Sequence, residues 1–295
     1  EGMLHGDYRT LFRGFGLDLA DLREYQFHDD VRHIDWNVTA RLQQTHVRDF
    51  HEDREITAWF LVDLSPSIDF GSGPVSKRSI AVDFIALMAR LLTAHGNRVG
   101  AILYNDRIER VLPGGSGRRH VLTLINALLA PRLVGSRTTT NLAHLLEQSV
   151  PLLKRRSVVF VLSDFMTEPG WARGLEALAR RHEVVAVRLH DPVETRLPDL
   201  GMIVVEDSET GERLFVDTHD GRVRRRFEEQ VNEREAMLRD ALGRAGVDAL
   251  ELATDEPLAD AVVRFAELRR LRSRLAGGLA STGRGPGARL VGVAS

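Results

Sequence analysis

The feature that most restricts the fold is an alternation of short apolar runs with helical patterns, which begins at residue 56. Three of the runs, Ile56–Val62, Ser157–Leu162 and Glu183–Leu189, are as short and apolar as strands buried on both faces of a sheet. Between such runs, apolar residues recur at three- and four-residue spacing, as in the segment 76–95. Strands that alternate with helices predict an α/β fold with a doubly wound, mostly parallel sheet.

Two strand pairs depart from this alternation. The runs Arg98–Tyr104 and Arg107–Leu112 are joined by Asn105 and Asp106, which predicts a tight hairpin at one edge of the sheet. A second hairpin is expected at about 202–217, as an insertion into the α/β scheme.

The distribution of apolar runs, glycine and acidic residues divides the chain into three parts. Residues 1–55 contain few long apolar runs, and we expect an irregular segment that packs on the core. Residues 56–275 form the α/β domain with its inserted hairpin. Residues 276–295 are rich in glycine and contain no acidic residue, which predicts a flexible tail.

Composition excludes several classes of function. The chain contains no cysteine, so it has no disulfides, thiolate zinc sites or iron–sulfur clusters, and this fits the reducing cytoplasm, where we expect the protein. A net charge of -2 argues against coating of nucleic acid, and we expect no nucleic-acid partner. No apolar stretch approaches the ~20 residues of a membrane span, and the N-terminus does not resemble a signal peptide.

Polar side chains follow two of the predicted central strands. Asp63, Ser65 and Ser67 come directly after the first strand, and Asp164 follows the strand that begins at Ser157. The carboxyl ends of parallel strands meet in one crevice, so these side chains are expected to converge there. The run 138–141, which is Thr-Thr-Thr-Asn, precedes a helix and can add a further hydroxyl. Carboxylates and hydroxyls favour Mg²⁺, Mn²⁺ or Ca²⁺ over zinc.

An Asp-x-Ser-x-Ser run is also compatible with an ordinary turn, in which the side chains bond to nearby backbone groups. The coincidence of three such segments at predicted strand edges favours the metal site.

The segments Asp63-Leu-Ser65-Pro-Ser67, Thr140-Asn-Leu and Leu-Ser-Asp164 resemble the metal-ion-dependent adhesion site of von Willebrand factor type A domains. The resemblance implies the strand order 3-2-1-4-5-6. It also implies that Ser65, Ser67 and Thr140 bind the cation directly, while Asp63 and Asp164 act partly through water. Thr138 and Thr139 are alternatives to Thr140, because the usual glycines before it are missing. In such domains, the open coordination position takes a carboxylate from a partner protein.

The N-terminal segment resembles the signature of the bacterial DUF58 family, although His28 stands where the family has glycine. The matching segments are Leu22–Tyr25, His28–Trp36, Thr39–Arg41, Val47–Phe50 and Glu52–Glu55. The resemblance implies association with ATPases of the MoxR type within the AAA+ class. The function then expected is that of a non-enzymatic, cation-dependent adaptor or co-chaperone, which binds an Asp or Glu of its partner through the metal.

The carboxylates within this signature allow two interpretations. Asp29, Asp30 and Asp35 alternate with Arg32 and Arg41, and Arg–carboxylate pairs of this kind can dock an irregular segment onto a domain. Alternatively, these acids line a second acidic or metal site.

Two other functions remain open. A metal-dependent phosphoester hydrolase would use Asp63 and Asp164, with Asp69, Asp29 or Asp30 as a further ligand or base. A site without a cation would serve only as a scaffold. Nucleotide hydrolysis is excluded for the glycine-rich run 71–78, because Ser replaces its second glycine and Arg78 replaces the Ser or Thr that would hold Mg²⁺.

Overall fold

A computed structural model of the protein describes most of the chain from residue 56 onward and a few residues before it. The described residues are 21–25, 30, 31, 34, 39, 44–49, 56–130, 141–167, 170–206 and 211–281. Several residues singled out above lie outside these ranges, so their predicted roles stay predictions: Asp29, Arg32, Asp35, Arg41, Thr138, Thr139 and Thr140.

The centre of the fold is a six-stranded sheet, in which only the last strand pair at one edge is antiparallel. Its strands in chain order are β3 (Thr57–Asp63), β4 (Arg98–Tyr104), β5 (Ile108–Gly115), β6 (Val158–Ser163), β7 (Glu183–His190) and β10 (Asp248–Ala253). In space the order is β5-β4-β3-β6-β7-β10, which is 3-2-1-4-5-6 when the strands of this sheet alone are counted. The predicted α/β fold and the predicted strand order are confirmed.

The edge hairpin was also predicted correctly, apart from its length. β5 runs antiparallel to β4 and continues past Leu112 through Pro113 to Gly115. Proline cannot donate a hydrogen bond within a sheet, but an edge strand tolerates it.

Two smaller sheets lie outside the central one. β1 (Asp21–Glu24) pairs with β2 (His46–Asp49), so the segment predicted to be irregular contains a strand pair. β8 (Met202–Glu206) pairs with β9 (Arg213–Asp217) as the predicted inserted hairpin.

Helices connect the parallel strands, as the sequence pattern predicts. Their bounds are α1 (Lys77–Ala94), α2 (Gly117–Leu129), α3 (Leu142–Ser149), α4 (Trp171–Ala179), α5 (Pro192–Thr195), α6 (Gly221–Ala245) and α7 (Leu258–Ser281). Side-chain caps fix where four of them begin. Ser76 accepts a hydrogen bond from the Ser79 amide and Asn141 accepts one from the His144 amide, while Asp191 and Asp220 cap α5 and α6. The last helix continues six residues past the predicted end at 275.

The core around β3 and β6 is tightly packed. The rings of Phe60 and Phe160 stack at 5.3 Å between centroids, and Phe84 of α1 meets Phe160 edge-on at 5.7 Å. All six residues of β6 are buried. These two strands therefore form a rigid base for the residues that follow them.

Backbone contacts divide the chain into two compact units. The larger unit, Ala20–Ala261, contains the central sheet and every residue of the candidate site. In the smaller unit, the structure describes α7 from Val262 onward, where the Arg269 guanidinium lies 5.9 Å from the centre of the Phe265 ring. No helix among the described residues is both long enough and apolar enough to span a membrane.

Packing between two helices should require a glycine at position 174. A Cβ at Gly174 of α4 would lie 2.7 Å from the Leu146 Cβ of α3, whereas a Cβ at Gly243 of α6 meets nothing within 4 Å. We expect Gly174→Ala to lower the free energy of unfolding by about 1–3 kcal/mol. The control Gly243→Ala should raise it by about 0.5–1 kcal/mol, because alanine favours helix. Urea unfolding measures both, and stabilisation by Gly174→Ala would contradict the packing described.

Candidate metal centre

Asp63 is the last residue of β3, the strand next to the point where the sheet reverses its winding. Its carboxylate is buried, with a residue exposure of 2%. Oδ1 accepts a hydrogen bond from the Ser65 amide at 2.8 Å, and Oδ2 accepts one from the Ser163 hydroxyl at 2.8 Å. These bonds fix the carboxylate across the gap between β3 and β6.

The two serines after Asp63 bring their hydroxyls together. Pro66–Asp69 form a 3₁₀ turn directly after β3, and this turn places the Ser65 Oγ 3.0 Å from the Ser67 Oγ. Ser65 is buried and Ser67 is half-buried. The hydroxyls predicted to be metal ligands are therefore adjacent to each other and to Asp63.

Asp164 reaches the same region from the end of β6. Its Oδ1 accepts a hydrogen bond from the Met166 amide at 3.0 Å. Between them, Phe165 has a φ of 56°, a left-handed conformation that is uncommon for a residue with a large side chain. The Phe165 ring is held edge-on against Trp171, with 5.2 Å between ring centroids. Packing thus maintains the turn that presents Asp164.

A buried lysine neutralises part of this carboxylate cluster. Lys77 is the first residue of α1, and its exposure is 0%. Its Nζ lies 2.9 Å from the Asp164 Oδ2 and 2.6 Å from the Glu194 Oε1. The ammonium therefore bridges a predicted metal ligand and the short helix α5.

Glu194 is fixed by a capping box at the start of α5. Its Oε2 accepts a hydrogen bond from the Asp191 amide at 3.0 Å, while the Asp191 side chain accepts one from the Val193 amide. Asp191 also accepts hydrogen bonds from the Ser72 amide at 2.8 Å and the Thr254 hydroxyl at 2.6 Å. The turn that carries Glu194 is thus tied to two other segments of the domain.

The electrostatics of the cluster show an excess of negative charge. Burial and, next, the charge of Asp164 raise the pKa of Asp63 from 3.8 to about 6, although hydrogen bonds from Ser65 and Ser163 oppose the rise. Burial alone would lower the pKa of Lys77, but the charges of Asp164 and Glu194 outweigh it and raise that pKa. Lys77 therefore stays charged, and among the residues that the structure describes no ion pair reaches Asp63.

These residues fit the chemistry of a hard divalent cation. Asp63 and Asp164 supply carboxylate oxygens, Ser65 and Ser67 supply hydroxyls, and the missing counter-charge at Asp63 is what a cation would provide. Within the described residues, no group of three or more His, Cys, Asp or Glu side chains is arranged as a metal site. The candidate site is thus one of two carboxylates and hydroxyls.

A cavity of about 330 Å³ adjoins this site, and Asp164 and Glu194 belong to its wall. Its apolar lining comes mainly from α4, α6 and the ends of β6 and β7: Phe165, Trp171, Leu189, Val231, Leu238 and Ala241. Arg188 lies on its polar side and pairs with both carboxylate oxygens of Glu235. Among the described residues, the Arg188 Nε and the His190 Nδ1 are buried without a hydrogen-bond partner.

Comparison with known protein families shows to which family the chain belongs. Residues 21–237 match the family model described as "Protein of unknown function DUF58", and the match covers more than half of the chain. The chain belongs to the DUF58 family. This confirms the family predicted from the N-terminal signature.

Mycobacterial proteins are similar over nearly the whole chain. The chain is 36% identical over 278 residues to "Uncharacterized protein Mb1516" from Mycobacterium bovis, a match that covers 94% of this chain and 87% of that protein. The same values hold for "Uncharacterized protein Rv1480" from Mycobacterium tuberculosis.

A solved structure is similar in fold. An aerotolerance-related membrane protein from Bacteroides fragilis, crystallised with multiple mutations to serine, matches with a TM-score of 0.50 and 13% sequence identity. The match covers 73% of this chain and 98% of that one. This similarity concerns the fold alone, and the strand order of the central sheet is that of a von Willebrand factor type A-like fold.

Sequence reasoning named four residues that the structure brings together at the candidate site, but it did not name the residues around them. The structure brings together Asp63, Ser65, Ser67 and Asp164, whereas Thr140 lies outside the described residues. Lys77 was set aside with the rejected phosphate-binding run. Its residue type could have drawn attention to Lys77, because the only lysines of this arginine-rich chain are Lys77 and Lys154.

Ser163 and Glu194 were also missed as site residues. Ser163 stood within the Leu-Ser-Asp motif but was given no role, and it holds Asp63 through a hydrogen bond. Glu194 comes from a turn 30 residues after Asp164 in the sequence, so that no local pattern connects the two.

The raised pKa of Asp63 predicts a pH-dependent stability. The folded state holds the Asp63 proton more tightly than the unfolded state, so this contribution is complete below pH ~4 and is lost as the pH rises through about 6. Without divalent cations, the wild type should lose up to about 3 kcal/mol of unfolding free energy relative to Asp63→Asn across this range. Urea unfolding at several pH values measures the difference, and parallel curves for the two proteins would contradict it.

Proposed function

We propose that this DUF58 protein is a non-enzymatic, divalent-cation-dependent protein-binding module. The observation that carries the proposal is the convergence of Asp63, Asp164, Ser65 and Ser67 at one edge of the sheet, where no cationic side chain of the described residues pairs with Asp63. Thr140 would complete the ligand set, as the resemblance to von Willebrand factor type A domains implies.

Mg²⁺ is the cation that the hard oxygen ligands favour, with Mn²⁺ or Ca²⁺ as substitutes. When bound, the ion would supply positive charge and an exchangeable coordination position for an Asp or Glu carboxylate of the partner. The chain's own residues have defined tasks in this scheme. Ser163 and the Ser65 amide orient Asp63, and the turn at Phe165 orients Asp164.

The cavity beside Asp164 supports binding of a protein partner. Its wall is shared with the candidate metal site, and its lining is mostly apolar. An apolar side chain near the partner's acidic residue would therefore find a place next to the metal.

The partner proposed is an ATPase of the MoxR type within the AAA+ class, as the family resemblance implies. In this reading the protein is an adaptor or co-chaperone of the bacterial cytoplasm.

The alternative of a phosphoester hydrolase would need a further ligand or base beside Asp63 and Asp164. The Asp69 carboxylate instead pairs with the Arg78 Nη1 at 3.4 Å, and the Glu194 carboxylate is in contact with the Lys77 ammonium at 2.6 Å. Phosphodiesterase turnover that requires both a metal and Asp63 would replace the binding proposal.

Cation binding is tested by calorimetric titration of the protein with MgCl₂ and MnCl₂. Asp63→Asn and Ser65→Ala should each weaken binding by about tenfold or more, because each removes an oxygen of the ligand set. The matched control is Asp69→Asn, which removes an exposed carboxylate of the same turn and should change affinity by less than about twofold. Equal affinity of wild type and Asp63→Asn would contradict the proposed ligand set.

Partner binding is tested with a purified MoxR-type ATPase from the same genome. We expect wild type and Asp69→Asn to bind it in the presence of Mg²⁺, and Asp63→Asn to fail. The variants, rather than a chelator, are decisive because chelation also removes Mg²⁺ from the ATPase nucleotide. Binding that survives both Asp63→Asn and nucleotide-free chelation would show that the contact does not use the metal site.

A further inference from the structure

Lys77 occupies a position that helix stability does not explain. It is the first residue of α1, where the helix dipole disfavours a positive charge, and its ammonium is withdrawn completely from water. Burial of a charge is costly unless opposite charges lie in contact with it. Asp164 and Glu194 supply those charges at 2.9 and 2.6 Å. The location of Lys77 is therefore determined by these two carboxylates.

The rest of the chain holds the ammonium in place. The Lys77 amide donates to the Phe70 carbonyl at 3.0 Å, and the Nζ lies 5.9 Å from the centre of the Phe70 ring. On the opposite side, the capping box of α5 occupies the Glu194 Oε2 and leaves Oε1 to face Lys77. Both ends of the salt bridge are thus fixed by backbone structure.

The charges of the four side chains in this cluster do not cancel, and an excess of negative charge remains. Asp63, Asp164 and Glu194 are carboxylates and Lys77 is an ammonium, so an excess of two negative charges remains when all four are ionised. A single divalent cation balances that excess. Without Lys77 the excess would be larger, and within the described ranges no other cationic side chain pairs with Asp164.

We propose that Lys77 is a built-in counter-ion, which competes with the divalent cation for Asp164 and thereby weakens cation binding, while Glu194 holds the ammonium in place. The inference rests on the proposed cation site and goes beyond it, because it assigns control of cation affinity to residues outside the ligand set. The physical reason is the repulsion between the ammonium and a divalent ion that share one carboxylate.

The test compares cation affinities of four variants with the wild type by calorimetric titration with MgCl₂ and MnCl₂. Lys77→Met removes the competing charge and should bind the ions at least about tenfold more tightly. Glu194→Gln removes one of the two carboxylates that bind the ammonium, so Lys77 then pairs with Asp164 alone. This variant should bind the divalent ions more weakly. The double variant Lys77→Met/Glu194→Gln avoids an unpaired buried charge at residue 194 and should bind at least about tenfold more tightly than Glu194→Gln.

Lys154→Met is the matched control, because Lys154 is the other lysine of the chain and is exposed. It should leave cation affinity unchanged. Thermal unfolding in chelator is recorded in parallel, since a purely structural role of Lys77 would lower the midpoint temperature without tightening cation binding.

The outcomes separate the two proposals. If the wild type binds the ions and removal of Lys77 leaves affinity equal or weaker in both backgrounds, the counter-ion role is wrong while the cation site stands. If neither the wild type nor any variant binds, both proposals fail. Tighter binding after removal of Lys77, or binding that appears only then, supports the counter-ion role. Should Lys77→Met fail to fold, the comparison of the double variant with Glu194→Gln decides.

Discussion

The structure of the candidate site depends on the burial of two carboxylates, Asp63 and Asp164, at the ends of neighbouring parallel strands. Burial and, next, the charge of the neighbouring Asp164 raise the pKa of Asp63 to about 6. The chain compensates with hydrogen bonds from Ser65, Ser163 and the Met166 amide, and with the ammonium of Lys77. In the part of the chain that the structure describes, no cationic side chain pairs with Asp63, and the divalent cation that we propose would supply that positive charge.

The surrounding fold keeps this arrangement rigid. β3 and β6 are adjacent in the sheet, and their facing aromatic rings, Phe60 and Phe160, stack in the core below the site. The turn after β6 holds Phe165 in a left-handed conformation through its contact with Trp171. A site whose ligands are fixed in this way loses little entropy when it binds an ion or a partner.

The sequence predicted the fold and part of the site for identifiable reasons. Apolar runs of strand length alternate with helical patterns, and this texture directly reflects burial in a parallel sheet. Asp63 and Asp164 were predictable because each directly follows such a run. Glu194 was not, since its relation to Lys77 spans 117 residues and depends on how α5 folds back beside α1. The role of Lys77 was not recognised, because the residue lies in a glycine-rich run that resembles a phosphate-binding loop.

The sequence by itself therefore determined the strand order expected of a von Willebrand factor type A-like domain, the DUF58 family and the oxygen chemistry of the candidate ligands. These properties follow from local periodicity and from motifs only a few residues long. The tertiary structure alone decided which charges face one another: Lys77 between Asp164 and Glu194, and Asp69 against Arg78. Charge interactions depend on distance and burial, and residues far apart in the chain acquire both only when the sheet and its helices have assembled.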